Sequence, residues 1–297
     1  MQIYSPIHQI NFQSLNPIWV KRDDLIDPYI SGNKWRKLKY ILKDAQEKGK
    51  NHLVTFGGAY SNHLVATAAA AARNGLKATA FVRGEEVTNE MLLICSLFGM
   101  QLIFIDRESY KNKAELFHVN FENDENAYFI DEGGASEEAV KGCSEIINEL
   151  TTNFDHIFCA AGTGTTAAGL LRGINQQQLT TKLHVIPVLK GGEFLKEPID
   201  DLLLQPHEYH LHDDYHFGGY GKVSEELIAF MNVFFDTTGI PLDPVYTGKM
   251  FFGVIDLINK GWFPKNANVL LIHTGGLQGI AGMNRELTRK KLPIIKT

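Results

Sequence analysis

Lys34 stands in the run "SGNKWRKL", where a turn at Asp27-Pro28 and the triplet Ser31-Gly32-Asn33 lead into a helix-forming stretch. This spacing predicts an amine in the first turn of a helix. Unpaired backbone N–H groups and the positive end of the helix dipole disfavour an ammonium there, so the lysine is expected to have a lowered pKa, as an imine-forming amine requires. Taken alone, Lys34 reads more readily as part of a solvated basic helix, since Arg36, Lys37 and Lys39 follow.

Two glycine-rich turns change that balance. In "CAAGTGTTAAGLLRG" an apolar strand runs into Gly162-Thr163-Gly164-Thr165-Thr166 and then a helix, gathering free N–H groups and hydroxyls into a phosphate-binding cup. The same run matches the dinucleotide pattern G-x-G-x-x-A through Ala167. That pattern needs an acid about 20 residues on, at the end of the next strand. Here the strand "LHVIPVL" ends in Lys190-Gly191-Gly192 and the first acid is Glu193, which disfavours a nicotinamide enzyme. In "FGGAYSNHLVATAAAAA" a strand ends at Gly57-Gly58, and Ser61 and Asn62 open a helix. They serve either as an ordinary cap or as a seat for a substrate carboxylate.

These turns need a framework. Short apolar or β-branched runs occur at "IWVKRDDL", "HLVTFGG", "KATAFVRG", "QLIFIDR", "AYFIDEG", "HIFCAAG", "LHVIPVL" and "NVLLIHTGG", most separated by stretches of helical period. The alternation predicts an α/β fold of parallel strands and crossover helices. Helices are expected at about 34–48, 62–74, 136–151, 165–174, 222–236 and 247–260. In the first, Leu38, Ile41, Leu42 and Ala45 share a face. At 297 residues the chain is expected to form two domains or one large α/β unit, with no linker marking a boundary.

With 44% hydrophobic and 21% charged residues and a net charge of -5, nothing calls for nucleic acid or an anionic membrane as partner. The N-terminus shows no basic segment followed by an apolar run, and no stretch reaches the roughly 18 apolar residues of a membrane span. A cytoplasmic protein is expected. Cys95, Cys143 and Cys159 are scattered, as suits reduced, buried thiols. "PHEYHLHDDYH" gathers His207, His210, His212 and His216 with three acids, but its spacing fits no standard ligand pattern. It reads as a polar surface loop, and no metal is expected. G-x-S-x-G and Walker A motifs are absent. Asp23 and Asp24 are expected to support the approach to the Lys34 turn.

"SGNKWRKL", "GGAYSNH", "AGTGTTAAGL", "YTGKMFFG" and "HTGG", in that order, resemble the pyridoxal-phosphate (PLP) enzymes comprising D-cysteine desulfhydrase and 1-aminocyclopropane-1-carboxylate (ACC) deaminase. The resemblance runs from about residue 15 to 285. It implies the tryptophan synthase β-like fold (fold type II), with two three-layer α/β domains and mainly parallel sheets. A large PLP-binding domain would comprise residues 1–46 and 155–297, and a small domain residues 47–154, with PLP in the cleft. It further implies Lys34 as the Schiff-base lysine, Lys37 within reach of the phosphate, and Asn62 on the cofactor's 3-hydroxyl. Ser61 would meet the substrate carboxylate or act as a proton donor or nucleophile. The backbone of Gly162, Thr163, Gly164, Thr165 and Thr166 would bind the phosphate. "GGYGK" and "PVYTGK" would supply the active-site tyrosines Tyr220 and Tyr246, and "HTGG" would close the far side of the ring. A homodimer acting on a small amino acid is the family's usual form.

The chain departs from the family at Tyr60, where Gln is common, and in the threonines of the phosphate loop. A short segment between "QLIFIDRESY" and "AYFIDEGG" implies a trimmed lid or an altered cleft. Two positions bear on the reaction. ACC deaminases follow the "VY" tyrosine with Glu, which keeps the cofactor's ring nitrogen protonated; here Thr247 takes that place. They also commonly read His-Leu before the final Gly-Gly, where this chain has His273-Thr274. Both point to β-elimination of sulfide from D-cysteine or a related β-substituted amino acid, with ACC deaminase as the alternative. A cofactor-binding protein with little activity is a further reading, which the retention of Lys34, Asn62 and both tyrosines opposes.

Overall fold

A computed structural model describes residues 3–12, 16–203 and 207–297. In chain order the elements are β1 (Ile7–Ile10), β2 (Ile18–Lys21), α1 (Asn33–Glu47), β3 (His52–Gly58), α2 (Asn62–Arg73), β4 (Lys77–Arg83), α3 (Glu90–Leu97) and β5 (Gln101–Ile105). Then come α4 (Lys113–Phe121), β6 (Ala127–Ile130), α5 (Glu137–Asn148), β7 (His156–Ala161), α6 (Thr165–Gln176), β8 (Lys182–Pro187) and α7 (Lys196–Asp201). The chain finishes with β9 (His210–Leu211), α8 (Glu225–Thr238), α9 (Thr247–Asn259), β10 (Val269–Ile272) and α10 (Gly279–Arg289).

All eight apolar runs contain a strand. They form two sheets, one of order β1-β2-β10-β7-β8-β9 and one of order β5-β4-β3-β6. Among the described residues every pairing is parallel except β1 with β2. The larger sheet draws on both ends of the chain, and the smaller one on residues 52–130.

Burial on both faces explains why these strands are continuously apolar rather than alternating. On β7, Phe158 and Ala160 enter one core while Ile157, Cys159 and Ala161 enter the opposite one. Val269 and Leu271 on β10 likewise face away from Leu270 and Ile272. The smaller sheet repeats the arrangement, with Leu53, Ala80 and Val82 on one side and Val54, Phe56 and Phe81 on the other. All three cysteines are free and buried in these cores or against them.

Helix α1 carries Lys34, and its placement is over-determined. Leu38, Ile41 and Ala45 are buried as the helical period requires. On the same helix the fully buried Arg36 donates to Asp23 Oδ1 at 2.8 Å and to Glu149 Oε2 at 2.9 Å, and Lys21 joins Glu149 at 2.8 Å. Asp23 therefore does support the approach to the Lys34 turn. Gly142 of α5 allows the closest approach, because a Cβ there would lie 1.9 Å from the Arg36 carbonyl oxygen.

Several elements were not evident in the sequence. Helix α3, "EMLLICSL", is apolar around most of its circumference and so lacks a helical stripe. The short segment holds α4. The histidine-rich stretch is not simply a loop: β9 adds to the edge of the large sheet. His156, His184 and His212 form a hydrogen-bonded row, with Nδ1 to Nε2 distances of 2.9 and 3.0 Å. Among the described residues no group of three or more His, Cys, Asp or Glu is arranged to hold a metal, and no helix is long and apolar enough to cross a membrane.

Candidate active site

A cavity of about 580 Å³ opens at the C-terminal ends of β3 and β7, where helices begin with their N–H groups exposed. It brings together Lys34, Lys37, Ser61, Asn62, Tyr220 and Tyr246. Gly162, Thr163, Gly164, Thr166 and Thr274 also line it. Thr165 and Thr247 do not; both are fully buried behind it.

Lys34 lies in the first turn of α1, after a turn that only glycine fits. Gly32 has φ +60°, and a Cβ on it would lie 1.9 Å from the Thr274 carbonyl oxygen. The turn is thereby seated against the segment after β10, with Asn33 N–H donating to Thr274 O at 3.3 Å. Lys34 Nζ is 3.5 Å and Lys37 Nζ 3.0 Å from the carbonyl oxygen of Gly133. Burial is the main cause holding the Lys34 amine well below the ordinary lysine pKa, and the charge of Lys37 adds to it. The direction matches the sequence expectation, but its source is the enclosure and a neighbouring cation.

At the start of α6, Gly164 is left-handed at φ +79°, and a Cβ there would meet Ile199 Cγ1 at 2.6 Å. Glycine at this position leaves room for Ile199 of α7 while the chain turns into α6, whose first N–H groups have no partner within the helix. Thr166 Oγ1 accepts from Asn33 Nδ2 at 2.9 Å, joining this cup to the Lys34 turn. Across the cavity, Ser61 occupies the N-cap position of α2, yet its side chain makes no capping hydrogen bond. Its hydroxyl is left for another partner. Asn62 Oδ1 is buried and likewise unpartnered.

The two tyrosines form one unit. Tyr246 donates from its hydroxyl to that of Tyr220 at 3.4 Å, and the rings meet edge to face with centroids 6.0 Å apart. Burial raises both phenol pKa values, so both remain protonated donors at neutral pH. Tyr246 also borders the phosphate cup, since a Cβ on Gly162 would lie 3.2 Å from its Cε1. Thr247 Oγ1 accepts from the Asp243 N–H at 2.8 Å.

Three residues at or behind the cavity had no assigned part in the sequence reading. Lys249 is fully buried and donates to the carbonyls of His216 and Gly219 at 2.8 Å each, fastening the Tyr220 segment to α9. His63 lines the cavity; burial, then the charges of Lys34 and Lys37, hold it neutral, and its Nε2 contacts Thr55 Oγ1 at 2.8 Å. Asp243 accepts the Tyr246 N–H at 2.5 Å. The Asp-Pro step ahead of a helix was the available signal for Asp243, and Lys249 stands in the quoted "YTGK" itself.

The chemistry of these residues fits PLP. An enclosed amine of low pKa, a glycine cradle at a helix start for a phosphate and an unpartnered amide oxygen all face one cavity. Fold and site together define a fold type II PLP enzyme. The chain belongs to the pyridoxal-phosphate dependent enzyme family, whose model matches residues 3–275.

Within that family it is 36% identical over 290 residues to a Thermotoga maritima protein named "Putative 1-aminocyclopropane-1-carboxylate deaminase", covering 91% of this chain and 92% of the relative. A Yersinia enterocolitica D-cysteine desulfhydrase is 30% identical over 284 residues, covering 87% and 86%. The crystal structure of an ACC deaminase homologue superposes with a TM-score of 0.87 at 32% identity, covering 96% of this chain and 93% of the other. PLP is the cofactor of this family, and the chain is an enzyme of its ACC deaminase and D-cysteine desulfhydrase branch.

Proposed function

We propose that the chain is a C–S lyase that converts D-cysteine, or a related β-substituted amino acid, and water to pyruvate, sulfide and ammonia. When bound, PLP supplies a carbonyl for amine capture and a ring that accepts electrons released at the substrate α carbon. Lys34 is the residue for covalent attachment, and as a neutral amine it can accept the α proton. The α6 N–H groups of the 162–166 turn would hold the phosphate, with Lys37 close by, and Asn62 the ring hydroxyl. Ser61 and the start of α2 would receive the substrate carboxylate. Tyr220 and Tyr246, both protonated, can position the side chain and donate a proton to the departing sulfur.

The observation that carries the choice of reaction is Thr247. The position after Tyr246 carries a hydroxyl that is buried behind the cavity and bonded to the Asp243 backbone, where the deaminases of the resemblance carry a carboxylic acid. A hydroxyl is a poor acid and does little to strengthen the electron sink. A substrate whose own thiolate carries the electrons away suits this site better than a cyclopropane, which has no leaving group. The second reading, ACC deaminase, is favoured by the name of the Thermotoga relative. We assign the site to a cleft between a large domain of residues 1–46 and 155–297 and a small domain of residues 47–154.

The test is product analysis of the PLP-loaded protein with D-cysteine, L-cysteine and ACC. Sulfide and pyruvate from a cysteine are expected. Release of 2-oxobutanoate from ACC with no sulfide from either cysteine would overturn the reading.

A further inference from the structure

Asp243 is 1% exposed and lies directly behind the tyrosine pair. Its Oδ1 accepts the N–H groups of Val245 at 3.0 Å and Tyr246 at 2.5 Å, and its carbonyl accepts the Gly248 N–H at 2.7 Å. These bonds set the head of α9. Oδ2, however, is buried with no partner. It lies against Gly276, where a Cβ would come within 3.4 Å of Oδ2 and 2.9 Å of Asn62 Nδ2, so that only glycine fits between the two side chains. Gly276 and Asn62 both line the cavity.

A carboxyl oxygen and an amide therefore flank one tight, glycine-floored cradle, whose Asn62 and Gly276 belong to the cavity wall. Capping alone explains Oδ1 and leaves the second oxygen without a reason, and an unsatisfied buried carboxyl oxygen is costly. The titratable and charged groups that interact with Asp243 are Lys249 on α9, Tyr246 at its head and Tyr220 on the adjoining segment. A negative charge on Asp243 makes both phenols harder to ionise.

We propose that Asp243 is a proton-exchanging positioning residue: Oδ1 fixes Tyr246, while Oδ2 takes and releases a proton at the Asn62–Gly276 cradle and so sets how firmly the Tyr220–Tyr246 pair holds its protons. Burial lifts this carboxyl to about 7, against the opposing effects of the Tyr246 and Val245 N–H bonds and the Lys249 charge. The exchange thus falls in the working range of an enzyme at neutral pH. The part played by the tyrosines rests on the reaction proposed above, whereas the proton site itself does not.

The test is infrared difference spectroscopy of the PLP-loaded protein, without substrate, across neutral pH, alongside the pH profile of kcat. A protonated-carboxyl band should vanish with a midpoint near 7 and be missing in Asp243→Asn, and the limb of the kcat profile near that pH should disappear in the variant. The proposal is overturned if the wild type has no such band, if the band survives in Asp243→Asn, or if the two kcat profiles superimpose. Should Asp243→Asn fail to fold, aspartate labelled with carbon-13 decides the matter in the wild type, since a band that does not move on labelling belongs to another group and overturns the assignment. A wild type with the band but no elimination from any amino acid would sink the reaction reading and leave the proton site standing.

Discussion

The Asn33 side-chain amide donates to Thr166 Oγ1 at 2.9 Å, tying the turn that presents Lys34 to the helix start that forms the phosphate cup. The two sequence motifs are 133 positions apart, and this bond holds the amine and the cup in register. Asn33→Ala should weaken PLP binding by about 5- to 10-fold, the equivalent of the roughly 1 kcal/mol of one hydrogen bond. Titration of the apoprotein with PLP measures this, and an unchanged affinity would mean the bond is incidental.

Lys249→Met should act on the tyrosines at a distance. It removes the ammonium that holds the His216 and Gly219 carbonyls and leaves those acceptors buried. We expect kcat/KM to fall by about 5- to 150-fold, corresponding to roughly 1–3 kcal/mol, while the visible absorption of bound PLP is retained.

Gly32→Ala should be among the most damaging single changes. The new Cβ would lie 1.9 Å from Thr274 O at a residue with φ +60°, so neither the neighbour nor the backbone can accommodate it without moving the Lys34 turn. A loss of more than about 2 kcal/mol is expected in denaturant unfolding.

The row of histidines predicts the response to acid. Burial first, then neighbouring imidazoles, pushes His184 down to about 2 and His212 to about 4. Unfolded imidazoles take up protons near pH 6.5 while these remain neutral, so their contribution is present above about 6.5 and is lost as pH falls from there toward 4. Asp243 works in the opposite sense, losing its contribution as pH rises from about 4 to about 7, but it is one group against five histidines lowered by burial, His63, His156, His184, His212 and His273. The melting temperature should therefore drop between pH 7 and pH 5, and drop less in His212→Gln. An equal drop in both would show that the row does not govern acid stability.

Much of this architecture was readable in the sequence, for physical reasons that also explain the gaps. Strands buried on both faces are continuously apolar, so β7, β8 and β10 announce themselves, and the helices with one apolar face, such as α1 and α5, show their period. Helix α3 hides because it is apolar nearly all round, and β9 because two residues carry no pattern. The glycine turns at 32, 162–164 and 275–276 mark the site because its segments pack too closely for side chains there, as Gly32 against the Thr274 carbonyl and Gly275 against Ser31 show. Whether Ser61 caps α2 or keeps its hydroxyl free could not be read from the motif, since both use the same residue at the same position. The parts of Lys249 and Asp243 depend on carbonyls and a glycine brought from elsewhere in the chain, and local sequence holds no trace of that.

Elimination of sulfide at this site, as proposed, runs through Lys34. The most direct measurement is sulfide release from D-cysteine by the PLP-loaded protein and by Lys34→Ala, with the visible band of lysine-bound PLP recorded on both. Sulfide together with the band is expected in the wild type, and the loss of both in Lys34→Ala. A band that persists in Lys34→Ala, or a wild type that consumes ACC and releases no sulfide, would contradict it.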